Sequence, residues 1–169
     1  MDERVWNDEP LSENVPLRIG STLIRRAAPP DFAYLITGDL EKNLHRLDKK
    51  TKLLGLGEDS GGAETYSMRI GRDNALLVSG STIGEDLQKA GFAASGASDV
   101  YVPVEIDGPE AVEILAQCGL AFPLAPSPSA AVLFGGLTAL YVRNIDTHVI
   151  WVPAAYLTYM TSFLKNMGL

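Results

Sequence analysis

The side chains able to do metal or nucleophilic chemistry are few in this sequence. There are two histidines, His45 and His148, and one cysteine, Cys118. Neither histidine has a second histidine, a cysteine or a carboxylate pair at the spacing that a metal ion requires, so no metal site is predicted. Cys118 falls near the predicted end of a helix, where the negative end of the helix dipole disfavours a thiolate. We therefore expect a buried structural thiol there.

Glycine-rich and serine-containing stretches are the second place to look for chemistry. The loop 53–62 carries Gly55, Gly57, Gly61 and Gly62. It lacks the spacing of a dinucleotide-binding fingerprint and the Gly-Lys-Ser/Thr ending of a phosphate-binding loop. No Gly-x-Ser-x-Gly nucleophile elbow occurs in the sequence. The residues alone therefore predict no catalytic centre and no cofactor site on this chain.

Composition and charge exclude several classes of partner. The 169 residues have a formal net charge of −7, and from Asp99 onward only Arg143 and Lys165 carry a fixed positive charge. Nucleic acids need clustered lysine and arginine, so a nucleic-acid partner is not expected. No apolar run reaches the ~20 residues of a membrane span, and the acidic start does not look like a secretory signal. A single cysteine fits a reducing compartment, so we expect a cytoplasmic protein without membrane contact.

The element around which the chain is organised is predicted between Asp99 and Gly119. Apolar residues alternate from Val100 to Ile106, which is the two-residue period of a strand. Gly108 then breaks the strand, and Pro109 suits the first position of a helix, where its missing N–H costs nothing. Gly119 suits the C-terminal cap of that helix. We predict a strand that turns directly into a helix, with Gly108 and Pro109 as the structural turn.

The remaining elements follow from apolar periodicity and from turn and cap residues. In chain order they are a single strand 17–24, a strand 32–37, a helix capped by Asp39, a hairpin over 65–79, a helix opened by the capping box Thr82-x-x-Glu85, three strands at 130–134, 137–143 and 148–152, and a final helix from Pro153. The stretches 53–62 and 95–98 are predicted as a loop and a linker.

The order strand, helix, hairpin, helix thus occurs twice, with an extra strand in the second copy. This repetition predicts an α+β fold with two pseudo-duplicated halves, in which antiparallel sheets have helices packed on them. The chain divides accordingly into an N-terminal arm (1–30), a first α+β half (31–98) and a second α+β half (99–169).

The last third of the chain holds most of the large amphipathic side chains, which are enriched at the centres of interfaces. In the final helix, Tyr156, Tyr159 and Met160 are the candidates for contact with a partner. The alternative is that these large residues fill the protein's own core, and this is the stronger expectation for Trp151 and Phe163.

Several stretches carry a resemblance to a known family. They are Asp99-Val100 with Gly108-Pro109-Glu110-Ala111, then Leu115 and Cys118-Gly119-Leu120, then Val152-Pro153-Ala154-Ala155-Tyr156, with a weaker echo at 68–78. Together they resemble the gamma subunit of heterotetrameric sarcosine oxidase, over about Phe32 to the C-terminus. The chain departs from that family's pattern at Arg72, Ala75, Tyr101, Gly119 and Ala155. The resemblance implies a fold similar to the folate-binding domain of aminomethyltransferases.

The resemblance also implies a role. It points to a non-catalytic gamma-type subunit that helps to assemble a complex, which oxidatively demethylates N-methyl amino acids and passes one-carbon units to tetrahydrofolate. Alpha and beta subunits are then the expected partners, and flavin, NAD and tetrahydrofolate are expected on them and not on this chain. The alternative function is a stand-alone homodimer that binds folate or another small ligand in one-carbon metabolism.

Overall fold

Long apolar runs form strands that are buried on both faces. The computed structural model describes residues 10–12, 15–47 and 51–167. Within them, the four residues 75–78 and the four residues 149–152 are each at most 7% exposed. A strand that is covered on both faces has a continuous apolar sequence and not an alternating one. These runs therefore place the sheets in the interior of the molecule.

The described residues form eleven strands and four α-helices, in the order in which the sequence suggests most of them. In chain order they are β1 (Leu17–Ile19), β2 (Thr22–Arg26), β3 (Phe32–Thr37), α1 (Leu40–Leu47), β4 (Lys52–Leu54), β5 (Tyr66–Arg69), β6 (Asn74–Ser79), α2 (Gly84–Ala90), β7 (Ala93–Gly96), β8 (Tyr101–Asp107), α3 (Ala111–Gln117), β9 (Ala131–Phe134), β10 (Leu137–Asn144), β11 (Thr147–Pro153), a 3-10 helix (Ala154–Tyr156) and α4 (Leu157–Lys165).

The strands make two sheets. One has six strands in the order β1-β2-β8-β11-β10-β9, and the other has five in the order β4-β5-β6-β3-β7. The predicted α+β class is confirmed. The prediction of purely antiparallel sheets is wrong for the five-stranded sheet, because β4 runs parallel to β5. That sheet is therefore mixed.

Three apolar cores separate four layers. Ile114 of α3 and Met160 of α4 pack on one face of the six-stranded sheet, and Leu44 of α1 and Leu87 of α2 pack on one face of the five-stranded sheet. The other faces of the two sheets meet in a middle core. It is filled by residues such as Met68, Leu76, Val142, Val149 and Trp151. The layers are therefore helix, sheet, sheet, helix, which explains why the central strands are buried on both faces.

The predicted repetition of element order has a counterpart in the strand pairing. In the first half the hairpin β5–β6 pairs through β6 with β3. In the second half the hairpin β10–β11 pairs through β11 with β8. In each half, the strand that precedes the first helix thus pairs with the second strand of the following hairpin.

The prediction of one strand over 17–24 is wrong. This segment forms the hairpin β1–β2 with its turn at Gly20 and Ser21, where Gly20 has a φ of +57°, a conformation that glycine adopts without steric cost. Through β2 the hairpin joins β8 in the sheet of the second half. Residues 1–9 and 13–14 of the arm lie outside the described residues.

Four local predictions also need correction. The loop 53–62 overlaps the end of β4, and the linker 95–98 overlaps the end of β7. Thr82 does not open α2, since Ile83 is the N-cap residue and makes no side-chain cap bond. The final helix does not start at Pro153, because a 3-10 turn precedes α4. The Asp39 cap is confirmed, because its side chain accepts a hydrogen bond from the backbone N–H of Lys42 (3.2 Å).

The helices of the described ranges are all too short or too polar to cross a membrane.

Candidate functional site

The turn between β8 and α3 is tightly packed against β2. Gly108 has a φ of +141°, and a Cβ atom built on it would lie 2.6 Å from the Cα atom of Thr22. Only glycine fits such an approach of two backbones. Helix α3 begins at Ala111 and not at Pro109, because residues 108–110 form a separate turn in which the Ala111 N–H bonds the Gly108 carbonyl (3.2 Å).

Glu110 connects this turn to the β1–β2 hairpin. The Thr22 hydroxyl donates to Glu110 Oε2 (2.8 Å) and accepts from the Glu110 backbone N–H (2.9 Å). The Ser21 N–H donates to Glu110 Oε1 (3.4 Å). The hydrogen bond from Thr22, helped by the backbone N–H groups, lowers the pKa of the Glu110 carboxyl. These three hydrogen bonds, here called the latch, hold the turn against the β1–β2 hairpin. The sequence around Glu110 does not show that Thr22 is its partner.

Cys118 is a buried thiol, as the sequence predicts. It is 4% exposed, and its sulfur lies 3.6 Å from the thioether of Met167. Burial raises the pKa of the thiol to about 12, so the group is protonated at neutral pH. A protonated thiol in an apolar site is a poor nucleophile and a poor metal ligand.

The glycine-rich loop 55–62 is packed against the second half of the chain. A Cβ on Gly55 would lie 2.2 Å from the Ser127 carbonyl oxygen, and the Leu56 N–H donates to the same oxygen (2.8 Å). The N–H groups of Gly61 and Gly62 donate to Asp59 and to the Asn144 side chain. These amides, which a phosphate cradle would need, already have partners in the chain.

His148 is half-buried and bonded to a neighbouring strand. Its Nδ1 lies 2.8 Å from the Tyr141 hydroxyl, and its ring meets Phe122 edge to face at 5.8 Å between centroids. Burial, and to a smaller extent the Arg143 charge, lower the pKa of His148. Within the described ranges, no three His, Cys, Asp or Glu side chains are grouped so that they could hold a metal ion.

A surface cleft of about 610 Å³ opens beside the start of α1. It is lined by Asp39, Glu41, Arg69 and Asp73 among others. Arg69 donates to Glu41 and to the carbonyl of Arg72, so its charge is already matched within the cleft. Arg72 lies 3.8 Å from Asp73, and Asp39 accepts the hydrogen bond that caps α1, so the charged side chains of the cleft already have partners within the chain.

The three partner-contact candidates of the final helix differ in their exposure to solvent. Tyr156 is 50% exposed and Tyr159 is 41% exposed, whereas Met160 is fully buried in the core beneath α4. Met160 is thus removed from the candidate surface, because its side chain points into the protein. Trp151 is 2% exposed and lies in the middle core, in agreement with the core expectation for it.

The two exposed tyrosines and the neighbouring β9–β10 turn form a surface that is here called the aromatic edge. We define it as Gly136, Tyr156 and Tyr159, which are all exposed. The Tyr159 hydroxyl donates to the carbonyl of the buried Gly135 (3.0 Å), and Gly136 lies near the same hydroxyl. Leu133 is also exposed, but it alternates with Val132 and Phe134, which pack on the α4 side of the sheet, so its side chain lies on the opposite face. No sequence pattern singles out Gly136 as a neighbour of Tyr159, because the two residues lie in different elements.

The chain has a structural relative among known proteins. Neither a protein-family model nor a curated protein sequence matches the chain. Among solved structures, the chain is similar to one chain of the heterotetrameric sarcosine oxidase from Corynebacterium sp. U-96, solved in complex with pyrrole 2-carboxylate, with a TM-score of 0.64 and 17% sequence identity. The match covers 85% of this chain and 81% of that chain. At this identity the similarity shows a shared fold.

Proposed function

We propose that the protein is a non-catalytic, gamma-type subunit of a sarcosine-oxidase-like complex that oxidatively demethylates N-methyl amino acids. The observation that carries the proposal is the fold shared with a chain of a heterotetrameric sarcosine oxidase over most of both chains. The motif resemblance around Gly108 and Pro109 supports it independently, because it rests on residue types and not on backbone geometry. In this proposal the chain acts in assembly.

The chemistry of the proposed complex belongs to partner subunits. Flavin, NAD and tetrahydrofolate are assigned to them, and the one-carbon unit released from the amine passes to tetrahydrofolate there. Support comes from three features of this chain: the protonated Cys118 thiol, the occupied amides of the loop 55–62, and the paired charges beside α1.

The aromatic edge is proposed as the surface that meets a partner subunit. Its tyrosines combine a large apolar area with a hydroxyl that remains compatible with water, which is typical of residues at interface centres. No charged residue lies between 114 and 142 or between 147 and 164 of the sequence, so burial of this surface removes few charges from water.

The test is purification of the tagged chain from its own cells, followed by spectroscopy of the eluate. We expect non-identical chains to co-elute, the eluate to show a flavin spectrum, and the separated 18.2 kDa chain to be colourless and inactive on N-methyl amines. A flavin spectrum on the separated chain itself would contradict the proposal, as would an eluate that contains this chain alone.

A further inference from the structure

Strand β7 is an edge of the five-stranded sheet with unused backbone groups. It pairs with β3 in the register Tyr34↔Gly96 and Ile36↔Ala94, and the Ala97 N–H donates to the Ala33 carbonyl (2.8 Å). Hydrogen-bonded pairs alternate along an antiparallel ladder. The N–H and C=O groups of Ala94 and Gly96 therefore point away from β3, toward solvent.

The other three sheet edges are protected. Strand β1 has three residues, follows Pro16 and carries the exposed Arg18. Strand β4 also has three residues and begins with the exposed Lys52. On β9 the outward amide of Ala131 donates to Ser129 Oγ (3.1 Å), and the amide that follows the strand bonds the Cys118 carbonyl (2.8 Å). Charges, prolines and covering segments are the usual means of blocking an edge.

Strand β7 has none of these protections. The stretch 92–98 reads Phe-Ala-Ala-Ser-Gly-Ala-Ser, without a charge or a proline, and Ala93, Ser95 and Gly96 are exposed. An unprotected edge is the feature to which an extended segment of another chain adds.

The glycine at position 96 of β7 is a second feature that points to an added strand. Its φ is not in the left-handed region, and a Cβ atom built on it would meet nothing within 4 Å. Among the glycines of the described ranges, it alone combines these two properties. Glycine inside a strand is destabilising, and it is typical where another backbone approaches closely. The chain's own fold gives no reason for glycine here, whereas the approach of an external strand does.

We infer that β7 docks an extended segment of a non-identical partner subunit, which adds to the five-stranded sheet as a sixth strand and carries Lys or Arg on the side that faces α2. The inference rests on the proposed function for the existence of such a partner. Helix α2 packs beside β7, and its first turn exposes Glu85 and Asp86. Both lie near the single Lys89, so this end of α2 keeps a net negative charge that a Lys or Arg of the added strand would match. A second copy fits less well, because symmetric pairing of two β7 strands places two acidic helix starts on the same face of the joined sheet.

The test uses the tagged chain purified from its own cells with its flavin-bearing partner. Gly96→Pro removes an amide that points outward, so it leaves the bonds to β3 in place and obstructs an added strand. Gly96→Lys places a charge on the edge and keeps the amide. Ser95→Ala is the matched control, because it changes an exposed side chain and keeps the backbone of β7.

We expect both Gly96 variants to bind the partner roughly tenfold more weakly or worse, with the thermal midpoint of the isolated chain unchanged, and Ser95→Ala to bind as the parent does. In the parent complex the amides of Ala94 and Gly96 become protected from hydrogen exchange, whereas the Ser95 amide is protected in both states.

The outcomes distinguish the β7 inference from the proposed function on which it rests. Normal partner binding by a folded Gly96 variant, with no added protection at Ala94 and Gly96, overturns the β7 inference and leaves the proposed function standing. Failure of the parent chain to retain any flavin-bearing subunit overturns both. Protection of these amides in a homodimer of the isolated chain overturns the assignment to a non-identical partner.

Discussion

At the scale of single residues, the contact between Thr22 and the turn 108–110 determines how β8 runs into α3. Gly108 brings the two backbones together, and Glu110 bonds back to Thr22 and Ser21. The glycine can be identified from the sequence because glycine followed by proline breaks a strand. Its neighbour Thr22 lies in a distant part of the chain, so no local pattern predicts the pair.

Replacing Gly108 is expected to be costly. In Gly108→Val the new side chain meets the Thr22 backbone in a conformation that β-branched residues avoid, so we expect a loss of about 3 kcal/mol in the free energy of unfolding. Pro109→Ala keeps the turn and is expected to change it by less than about 1 kcal/mol. Urea unfolding measures both, and equal, negligible shifts would show that the turn does not have this role.

The latch at Glu110 is expected to be pH-dependent. Its carboxyl pKa is lowered in the folded state, so its stabilising effect is present above the unfolded pKa and is lost as the pH falls through the lowered value. Thr22→Val should therefore reduce the urea midpoint at pH 7, and the difference from the parent should shrink on acidification below about pH 4. In a Glu110→Gln background the effect of Thr22→Val should not vary with pH over this range. A difference that stays constant with pH in the parent background would contradict the assignment.

At the scale of elements, strands and helices with strong apolar patterns can be predicted from the sequence. Strands that form only through hydrogen bonds to a neighbouring strand cannot. The central strands β3, β6, β10 and β11 are recognisable because their apolar runs are long. Strand β7 is not, because its short, small residues form a strand only through their bonds to β3.

The aromatic edge, too, is only partly predictable from the sequence. Residue type selects Tyr156 and Tyr159, and the fold exposes both. Residue type selects Met160 with them, but helical geometry turns it inward, and the sequence does not show which face of α4 meets the sheet. Gly136 joins the surface because the β9–β10 turn lies against Tyr159 of α4.

The aromatic edge predicts a specific effect of charge. Tyr159→Asp is expected to weaken partner binding strongly, because an uncompensated carboxylate is then buried at an interface. Thr158→Asp is the matched control, since Thr158 is the adjacent exposed residue of α4 and is not part of the aromatic edge. Partner retention on size-exclusion chromatography measures the effect, and circular dichroism verifies the fold. Equal retention of both variants would exclude this edge from the interface.

At the scale of the whole molecule, the two halves are joined by the middle core and by the loop 55–62. Gly55 lies against the carbonyl of Ser127, and the Ser60 N–H donates to the Arg143 carbonyl (2.9 Å). The repeated order of elements is predictable from periodicity. The face-to-face packing of the sheets is not, because it depends on contacts between halves that are far apart in sequence.

Replacing Gly55 tests whether the loop 55–62 helps to hold the two halves together. In Gly55→Ala the new Cβ meets a backbone carbonyl, so the loop must move, and we expect a loss of about 2 kcal/mol in the free energy of unfolding. Gly57→Ala is the control, because the space around it is open and only its positive φ of +88° opposes alanine, at about 1 kcal/mol. Thermal unfolding of both variants makes the comparison, and a smaller loss for Gly55→Ala than for Gly57→Ala would refute the contact's importance.

The central claim is that this chain works as one non-identical subunit of an oxidoreductase complex. The most direct measurement is the native mass spectrum of the tagged chain purified from its own cells. We predict a complex whose mass exceeds that of the 18.2 kDa chain by the masses of larger, different chains and their flavin. A spectrum that contains only whole-number multiples of the tagged chain's own mass would contradict the claim and would favour a self-associating protein.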